Sequence, residues 1–596
     1  MENASEIKIT PAPAPWWSRK IWSDPVVFSL VFAAITALAC SPVVLHPTDH
    51  LSSGPAGDKG TNLWNLWWVY YALFERHSSP LHCDLIFIPW GCDLRYHTLS
   101  LANGILAAPL TGGAGPCVAY NVLFGLWTAL TGVFAAMWAR CFGLNRPLSV
   151  LLGVLAAFSP YRWAHQIHLN LLSTPWLFLF FYCLERRLQT REVSCLEHSP
   201  GWIHEAGLIL AWPLALFSDW YYGLYAGIYL ALRLAVFGYG PGRENWLRGF
   251  QIALPPVLTV GLLMAAYFYH PHAGAYETQF VDSVPMMFSA YWSLDLLHLV
   301  LPIWMIPWIS NVHYASEFLF HPGLLYLMLP FLWFACRPLD KETRGQVGYL
   351  LVLSALFLGL SLGPILVFRS QPLSFLGIPL FTPTALLEWI PLVTVIRVFS
   401  RFAYIGFTAL ALLGLMGLER WIRHRGYRIP WLPVCAGLAG LFLLETRWQP
   451  PRMVPYTVPE GIRNPETKPY LELPFTPSVV SGRHLYHQTI HRQPIFVVEF
   501  SRLGTYRQKY EAAFPALGML DRAARGLEAP GSSSFPLETF CTELKRLGPV
   551  RFVLSPEGDQ EERIRILSNF HQFLTHCQTL VHYEGPDIGP KDSAEH

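Results

Sequence analysis

Asp58 is a lone carboxylate at the head of an apolar run rich in tryptophan, GDKGTNLWNLWWVYYALFER, from Gly57 to Arg76. A carboxylate beside a cleft at a membrane surface can take a proton from a hydroxyl as a general base. The plainer alternative is a solvated loop acid. Asp219, in FSDWYYG, lies in a tight turn between two apolar runs. An acid so near hydrocarbon is costly unless it is paired or wet. It can share the base role, position an acceptor, bind a metal, or simply cap the next helix. Arg397 and Arg401, in VIRVFSRFAY, share one helix face at their spacing. Forked, permanently charged guanidinium groups suit a phosphate at the membrane surface. The competing role is snorkelling to the interface. Arg95 and His97 in CDLRYHTLS, with Arg162, His165 and His168 in SPYRWAHQIHLN, add polar groups on the same side. Arg95 and Arg162 join the candidate phosphate set, and the three histidines join the cleft. His165 with His168, and His484, His487 and His491 at helical spacing, are metal candidates, although interfacial histidines without metal are commoner. A divalent metal is a possible cofactor, and no other is indicated.

The elements that must hold these groups follow from composition. The chain has 596 residues, 53% hydrophobic and 14% charged, against a usual charged share of about 25%. Apolar stretches of about 20 residues recur along it, which defines a polytopic α-helical membrane protein. The net charge of +2 and the lack of any Lys/Arg-rich run exclude nucleic acid as an expected partner. There is no C-x-x-C, P-loop, G-x-G-x-x-G or H-E-x-x-H. Lys8, Arg19 and Lys20 precede an apolar run without a small-residue cleavage site, so the first span is read as uncleaved.

About 11 spans are expected: 25–46, 117–138, 148–160, 168–184, 203–217, 221–237, 250–269, 322–335, 347–366, 402–419 and 429–444. Arg140 and Arg146, then Arg186, Arg187 and Arg191, then Arg243 and Arg248 fall in alternate loops. Arg337, Lys341 and Arg344, and finally Arg420, Arg423, Arg425 and Arg428, continue the series. The positive-inside rule puts those loops and the N-terminus in the cytoplasm, and the C-terminal tail outside an inner (cell) membrane. Residues 373–395, with Pro379, Pro383 and Pro391, are read as re-entrant or surface-lying, because a crossing there would invert the arginine-rich loop.

The transmembrane domain is thus 1–445, with large outer loops at 47–116 and 270–321 and an elbow at 367–401. In the first loop, Asn62–Arg76 and Leu101–Leu110 are read as interfacial helices, the tryptophans seeking the headgroup layer. After a Pro-rich linker, residues 446–596 form a small soluble α/β domain. Its expected strands are YLELPF, PIFVVEF, VRFVLSP and TLVHYE, and its helices LETFCTELKRLG and EERIRILSNFHQFL. Cys83 with Cys92, and Cys541 with Cys577, are pairs open to disulfide formation in an oxidising compartment.

The blocks GDKGTNLWNLWWVYYAL, CDLIFIPWGCDLRYHTLSLANGILAAPL and FSPYRWAHQIHLNLLSTPWL resemble bacterial membrane glycosyltransferases of the GT-C superfamily, in a poorly characterised polytopic branch. VIRVFSRFAYIGFTALALLGLMGLERW and the tail's YLELPF and YHQTIHRQPI fit the same branch. The resemblance implies a GT-C-like fold, a polyprenyl-phosphate-linked sugar donor, and an acid in the first outer loop, which Asp58 matches. Many members pair two acids there, whereas Lys59 follows Asp58. The expected reaction is inverting transfer of a sugar to an extracytoplasmic hydroxyl of a saccharide, lipid or protein acceptor. Two other readings stand beside it: a transporter or flippase of a lipid-linked saccharide, and a non-catalytic, membrane-anchored envelope assembly protein.

Overall fold

A computed structural model describes residues 23–48, 50–52, 57–88, 90–189, 201–238, 243–269, 286–301, 331–334, 341–389, 396–427, 429–455, 470–473, 478–495, 512–516, 538–539, 541–543, 550–554 and 581–583. These are mostly helical. Pro116–Cys141, Trp246–Phe268, Arg344–Ser361 and Phe399–His424 are long and apolar enough to cross a membrane. Asp24–Ala39, Trp202–Ser218 and Trp431–Glu445 are apolar but shorter.

Two expected spans are corrected. The 148–160 span is a helix of 12 residues, Arg146–Ala157, about 18 Å long and short of a hydrocarbon core of about 30 Å. It stops because Ser159 precedes Pro160 and is extended, at φ −54° and ψ 143°. The 168–184 span begins only at Pro175. Residues 165–174 instead fold as a loop around one helical turn, Leu169–Leu172, and neighbouring side chains hold its carbonyls. The 322–335 span lies outside the described residues except for a helical piece at 331–334.

Residues 373–389 do not cross. Ser374–Phe375 pairs with Ile378–Pro379 as a hairpin, beside the Val367–Phe368/Gln371–Pro372 pair, and a 3₁₀ turn follows at Pro383–Trp389. Leu376 at its tip is 86% exposed, which suits a surface-lying segment.

The Asn62–Arg76 stretch also departs from expectation. It is a helix, Asp58–Tyr70, continued by a π-helical turn at Tyr71–Glu75, yet its tryptophans face protein. It is enclosed by the Leu101–Ala114, Pro116–Cys141 and Ser478–His491 helices, and Trp64, Trp67 and Trp68 are buried. Buried indole N–H groups need protein partners. Trp64 donates to Gln488 at 2.8 Å and Trp68 to the Pro80 carbonyl at 2.9 Å. The Leu101–Ala114 helix does expose Ile105 and Leu106.

The C-terminal part reaches back onto this loop. Met453–Pro455 pairs antiparallel with His50–Ser52. Farther on, Tyr470–Leu473, Val550–Leu554 and Val581–Tyr583 form a parallel sheet with Val550–Leu554 in the centre. These strands fall within three of the expected segments. PIFVVEF beyond Ile495 and the EERIRILSNFHQFL helix lie outside the described residues, and LETFCTELKRLG is helical at 538–539 and 541–543. Cys541 is disulfide-bonded, and its partner lies outside the described residues. Cys83 and Cys92 are register partners on facing strands, with free thiols.

Candidate active site

Asp58 opens its helix, where a carboxylate complements the partial positive charge of the N-terminus. The turn before it depends on two glycines. Gly57 has φ +59° and ψ −143°, a conformation that L side chains rarely adopt. The backbone of Gly57 lies directly on Gly482 of the Ser478–His491 helix. A Cβ at 482 would sit 1.9 Å from the Gly57 carbonyl oxygen. The tail helix therefore seats the residue that aims Asp58.

The carboxylate is held on one side only. His168 Nε2 lies 2.9 Å from Asp58 Oδ2. His168 Nδ1 is buried with no partner among the described residues. The proton is therefore assigned to Nε2, which donates, leaving Nδ1 as a bare lone pair, the cheaper atom to bury. Asp58 Oδ1 makes no bond among the described residues, and the side chain is 63% exposed. The His168 hydrogen bond, with the charges of Arg397 and Arg401, outweighs desolvation and holds the carboxyl below its usual range. Asp58 is thus ionised at neutral pH, a proton acceptor with one oxygen fixed and the other presented.

His168 is placed by a loop held at nearly every residue. Lys59 Nζ (3.2 Å) and Tyr120 Oη (2.7 Å) both donate to the Gln166 carbonyl. Asn62 donates to the Ile167 carbonyl at 3.3 Å, and Asn170 to Asp219 Oδ2 at 2.6 Å. Tyr222 donates to the Leu171 carbonyl and Arg162 to the Leu172 carbonyl. His165 stands behind His168, with ring centroids 5.3 Å apart, and its Nδ1 donates to the Tyr161 carbonyl at 2.7 Å.

The arginines arrive on a separate segment. Val398 N–H donates to Tyr221 Oη at 2.9 Å, and the Arg401 guanidinium stands 5.2 Å from the centre of the Tyr221 ring. Asp219 Oδ1 accepts the Tyr221 N–H at 2.9 Å. One carboxylate therefore ties the loop carrying His168, through Asn170, to the segment carrying Arg397 and Arg401, through Tyr221. Arg397 makes no hydrogen bond or ion pair among the described residues.

The structure thus brings Asp58, His168, Arg397 and Arg401 together and places the other expected site residues elsewhere. Arg95 is 5% exposed and doubly bonded to Asp93, so its charge is already matched. Arg162 is 1% exposed and spans the Ala157 and Leu172 carbonyls, tying a helix end to the loop rather than facing a ligand. His97 Nε2 lies 2.9 Å from Asn65 Oδ1. With Asp219, Ser100, Trp220 and Tyr267 it lines a separate, small cleft. His484, His487 and His491 are buried, and among the described residues no three His, Cys, Asp or Glu side chains converge to hold a metal. Asp58 and His168 bond each other, and among the described residues no third such ligand joins them.

Sequence inspection missed Lys59, Asn170 and Tyr221 as placing residues. Lys59 carried a signal, since a lysine inside so apolar a helix must be either paired or caged, but Asn170 and Tyr221 carried none.

No protein-family model and no curated protein matches the sequence. Among solved structures the chain is similar to the oligosaccharyltransferase of Archaeoglobus fulgidus. Against its apo form the TM-score is 0.46 at 11% identity, covering 89% of this chain and 69% of that one. Against the form tethered to an acceptor peptide containing the NVT sequon, the TM-score is again 0.46 at 11% identity, covering 81% and 64%. Against its complex with an inhibitory peptide and a dolichol-phosphate, the TM-score is 0.43 at 11% identity, covering 81% and 65%. This chain therefore spans slightly less than two thirds of the length of the two ligand-bound forms.

Proposed function

We propose that this protein is a membrane glycosyltransferase that moves a sugar from a polyprenyl-phosphate-linked donor to an acceptor hydroxyl, with Asp58 as general base. The observation that carries this reading is the half-held carboxylate. Asp58 Oδ2 is fixed by His168, Oδ1 is open, and two guanidinium groups are near enough to depress the carboxyl pKa. An acid ionised at neutral pH, with two guanidinium groups close by, suits a reaction in which a hydroxyl loses a proton while a phosphate departs.

In that reaction Asp58 Oδ1 accepts the acceptor's hydroxyl proton. The acceptor oxygen attacks the anomeric carbon from the face opposite the phosphate, and the bond from that carbon to the phosphate oxygen breaks. The electron pair stays on the lipid phosphate, which leaves without needing a proton, and the configuration inverts. Arg397 and Arg401 stabilise the charge gathering on the leaving phosphate. His168 keeps the carboxylate aimed, and Asp219 keeps the two halves of the site in register.

The Asp58 face is assigned to the outer side of the membrane. The arginine-rich loops at the opposite end support this through the positive-inside bias. The disulfide at Cys541 supports an oxidising compartment for the tail. The parallel sheet after Tyr470 is then the core of an extracytoplasmic α/β domain.

The test is Asp58→Asn, which keeps shape and removes the proton acceptor. Hydrolysis of undecaprenyl-phosphate-linked glucose, galactose and mannose, with water as acceptor, should fall by about 10²–10⁴-fold. Binding of undecaprenyl phosphate should be unchanged, because the phosphate contacts lie on Arg397 and Arg401. Full turnover in the variant would remove Asp58 from the chemistry.

A further inference from the structure

Lys59 is the least expected residue at this site. Its side chain is fully buried, at 0% exposure, beside an exposed acid that it does not touch. Among the described residues no carboxylate reaches it. Its ammonium instead donates to Ser52 Oγ at 2.7 Å and to the Gln166 carbonyl at 3.2 Å, and stands 3.6 Å from the centre of the Tyr120 ring. Tyr120 Oη donates to the same Gln166 carbonyl at 2.7 Å. Burying a cation without a counter-ion is costly, and an aromatic face with two oxygens offsets only part of that cost. Burial accordingly pushes the Lys59 pKa well below its usual value.

The three groups it touches come from separate parts of the chain. Ser52 is the last residue of the strand that pairs with the tail linker. Tyr120 lies in the long Pro116–Cys141 helix. Gln166 sits two residues before His168. Lys59 itself follows Asp58, and consecutive helical side chains diverge, so one side chain faces the cleft while the next reaches into the protein behind it.

We infer that Lys59 is a positioning residue that holds the Gln166 carbonyl, so that His168 reaches Asp58 and keeps its carboxylate aimed. This deepens the reading of Asp58 as a base and rests on it for its catalytic meaning, but the contact itself can be tested without turnover. The titratable and charged groups facing Asp58 are His168, Arg397 and Arg401. Of these, only His168 is carried by the loop that Lys59 grips. Losing Lys59 should therefore weaken the His168 hydrogen bond and leave both guanidinium groups in place. A carboxylate losing a hydrogen bond to its ionised form becomes easier to protonate.

Carbodiimides react with protonated carboxyls, so their rate at Asp58 reports that change directly. The full-length protein in detergent would be labelled with a water-soluble carbodiimide and an amine between about pH 4 and 7. Peptide mass spectrometry would read the label at Asp58, with the half-exposed Asp84 as an internal reference. His168→Ala and Lys59→Met should both label Asp58 roughly threefold to tenfold faster than wild type at one pH, with Asp84 unchanged. Tyr120→Phe removes the second donor to the same carbonyl and keeps the ring against Lys59, so it should shift the rate the same way by less. It also carries the test if Lys59→Met does not fold. Faster labelling in His168→Ala, with wild-type rates in Lys59→Met and Tyr120→Phe, would overturn the inference. An unchanged rate in His168→Ala would overturn the contact on which it depends. Failure of the base reading would show separately, as undiminished turnover in Asp58→Asn.

Discussion

At the Asp24 end of the helical bundle, Asp24 bonds Arg140 and Arg146, Arg187 bonds Glu205, and Glu419 takes Arg423 and the Asn145 N–H. Glu185, at 0% exposure, accepts from Arg233 with both oxygens and from Tyr229, and Arg233 also stacks 4.9 Å from the Tyr349 ring centre. At the Asp58 end the bonding is left incomplete. Asp58 uses one oxygen, and Arg397 has no bonded partner among the described residues. Ion pairs that satisfy one another hold helices together and have nothing left to offer a ligand. Groups kept in reach of one another but unsatisfied are positioned at a cost that a structural role alone would not justify.

This contrast is open to attack from both sides. Glu185→Ala should give the larger effect on stability, because it leaves the Arg233 charge buried and unmatched. Removing one partner of a buried pair costs about 3–5 kcal/mol. Thermal unfolding of the purified protein should show the loss, while the protein that remains folded keeps its turnover per molecule. A Glu185→Ala protein of wild-type stability, with turnover abolished, would place chemistry at the closed end and break the comparison.

Arg397→Ala should leave the unfolding temperature near wild type, since no bond in the described protein is lost. It should weaken undecaprenyl phosphate binding by about 1.5–3 kcal/mol, the usual worth of a contact to a charged group. Arg401→Ala should weaken binding similarly and also loosen the packing on Tyr221. Unchanged lipid-phosphate binding in both variants would assign the pair to snorkelling at the interface.

The same contrast explains what the sequence could reveal. Asp58, Arg397 and Arg401 stood out because an ionisable group in an apolar setting is visible in composition alone. Arg95 and Arg162 passed the same filter, and the filter could not see that Asp93 or two backbone carbonyls already occupied them. The tryptophan run of the first loop read as interfacial because composition does not distinguish a lipid headgroup layer from a covering protein helix. Here the covering helix, Ser478–His491, lies more than 400 residues along the chain. Residues 168–174 of the loop at 165–174 read as the start of a span because their leucines are apolar. The donors reaching the loop's carbonyls, from Lys59, Asn62, Tyr120, Arg162 and Tyr222, make a non-helical backbone tolerable there.

Asp219 is the sharpest case, because it is closed like the Glu185 end yet lies at the Asp58 end. It is 5% exposed, with Oδ1 on the Tyr221 N–H and Oδ2 on Asn170. If closure marks a structural role, its contribution to turnover must pass through the segments it joins. Asp219→Asn retains an oxygen for Tyr221 but turns an amide toward the Asn170 amide, so the link to the His168 loop suffers first. Turnover should then fall by only about threefold to thirtyfold, against the 10²–10⁴-fold range for loss of a base. The double variant Asp219→Asn/Asn170→Asp restores a donor–acceptor pair with the roles exchanged. Recovery of most of the lost turnover would show that Asp219 acts through Asn170. A fall in Asp219→Asn as deep as that of Asp58→Asn, with no recovery in the double variant, would make Asp219 a participant in proton transfer and move the centre of the site into the cleft beside His97.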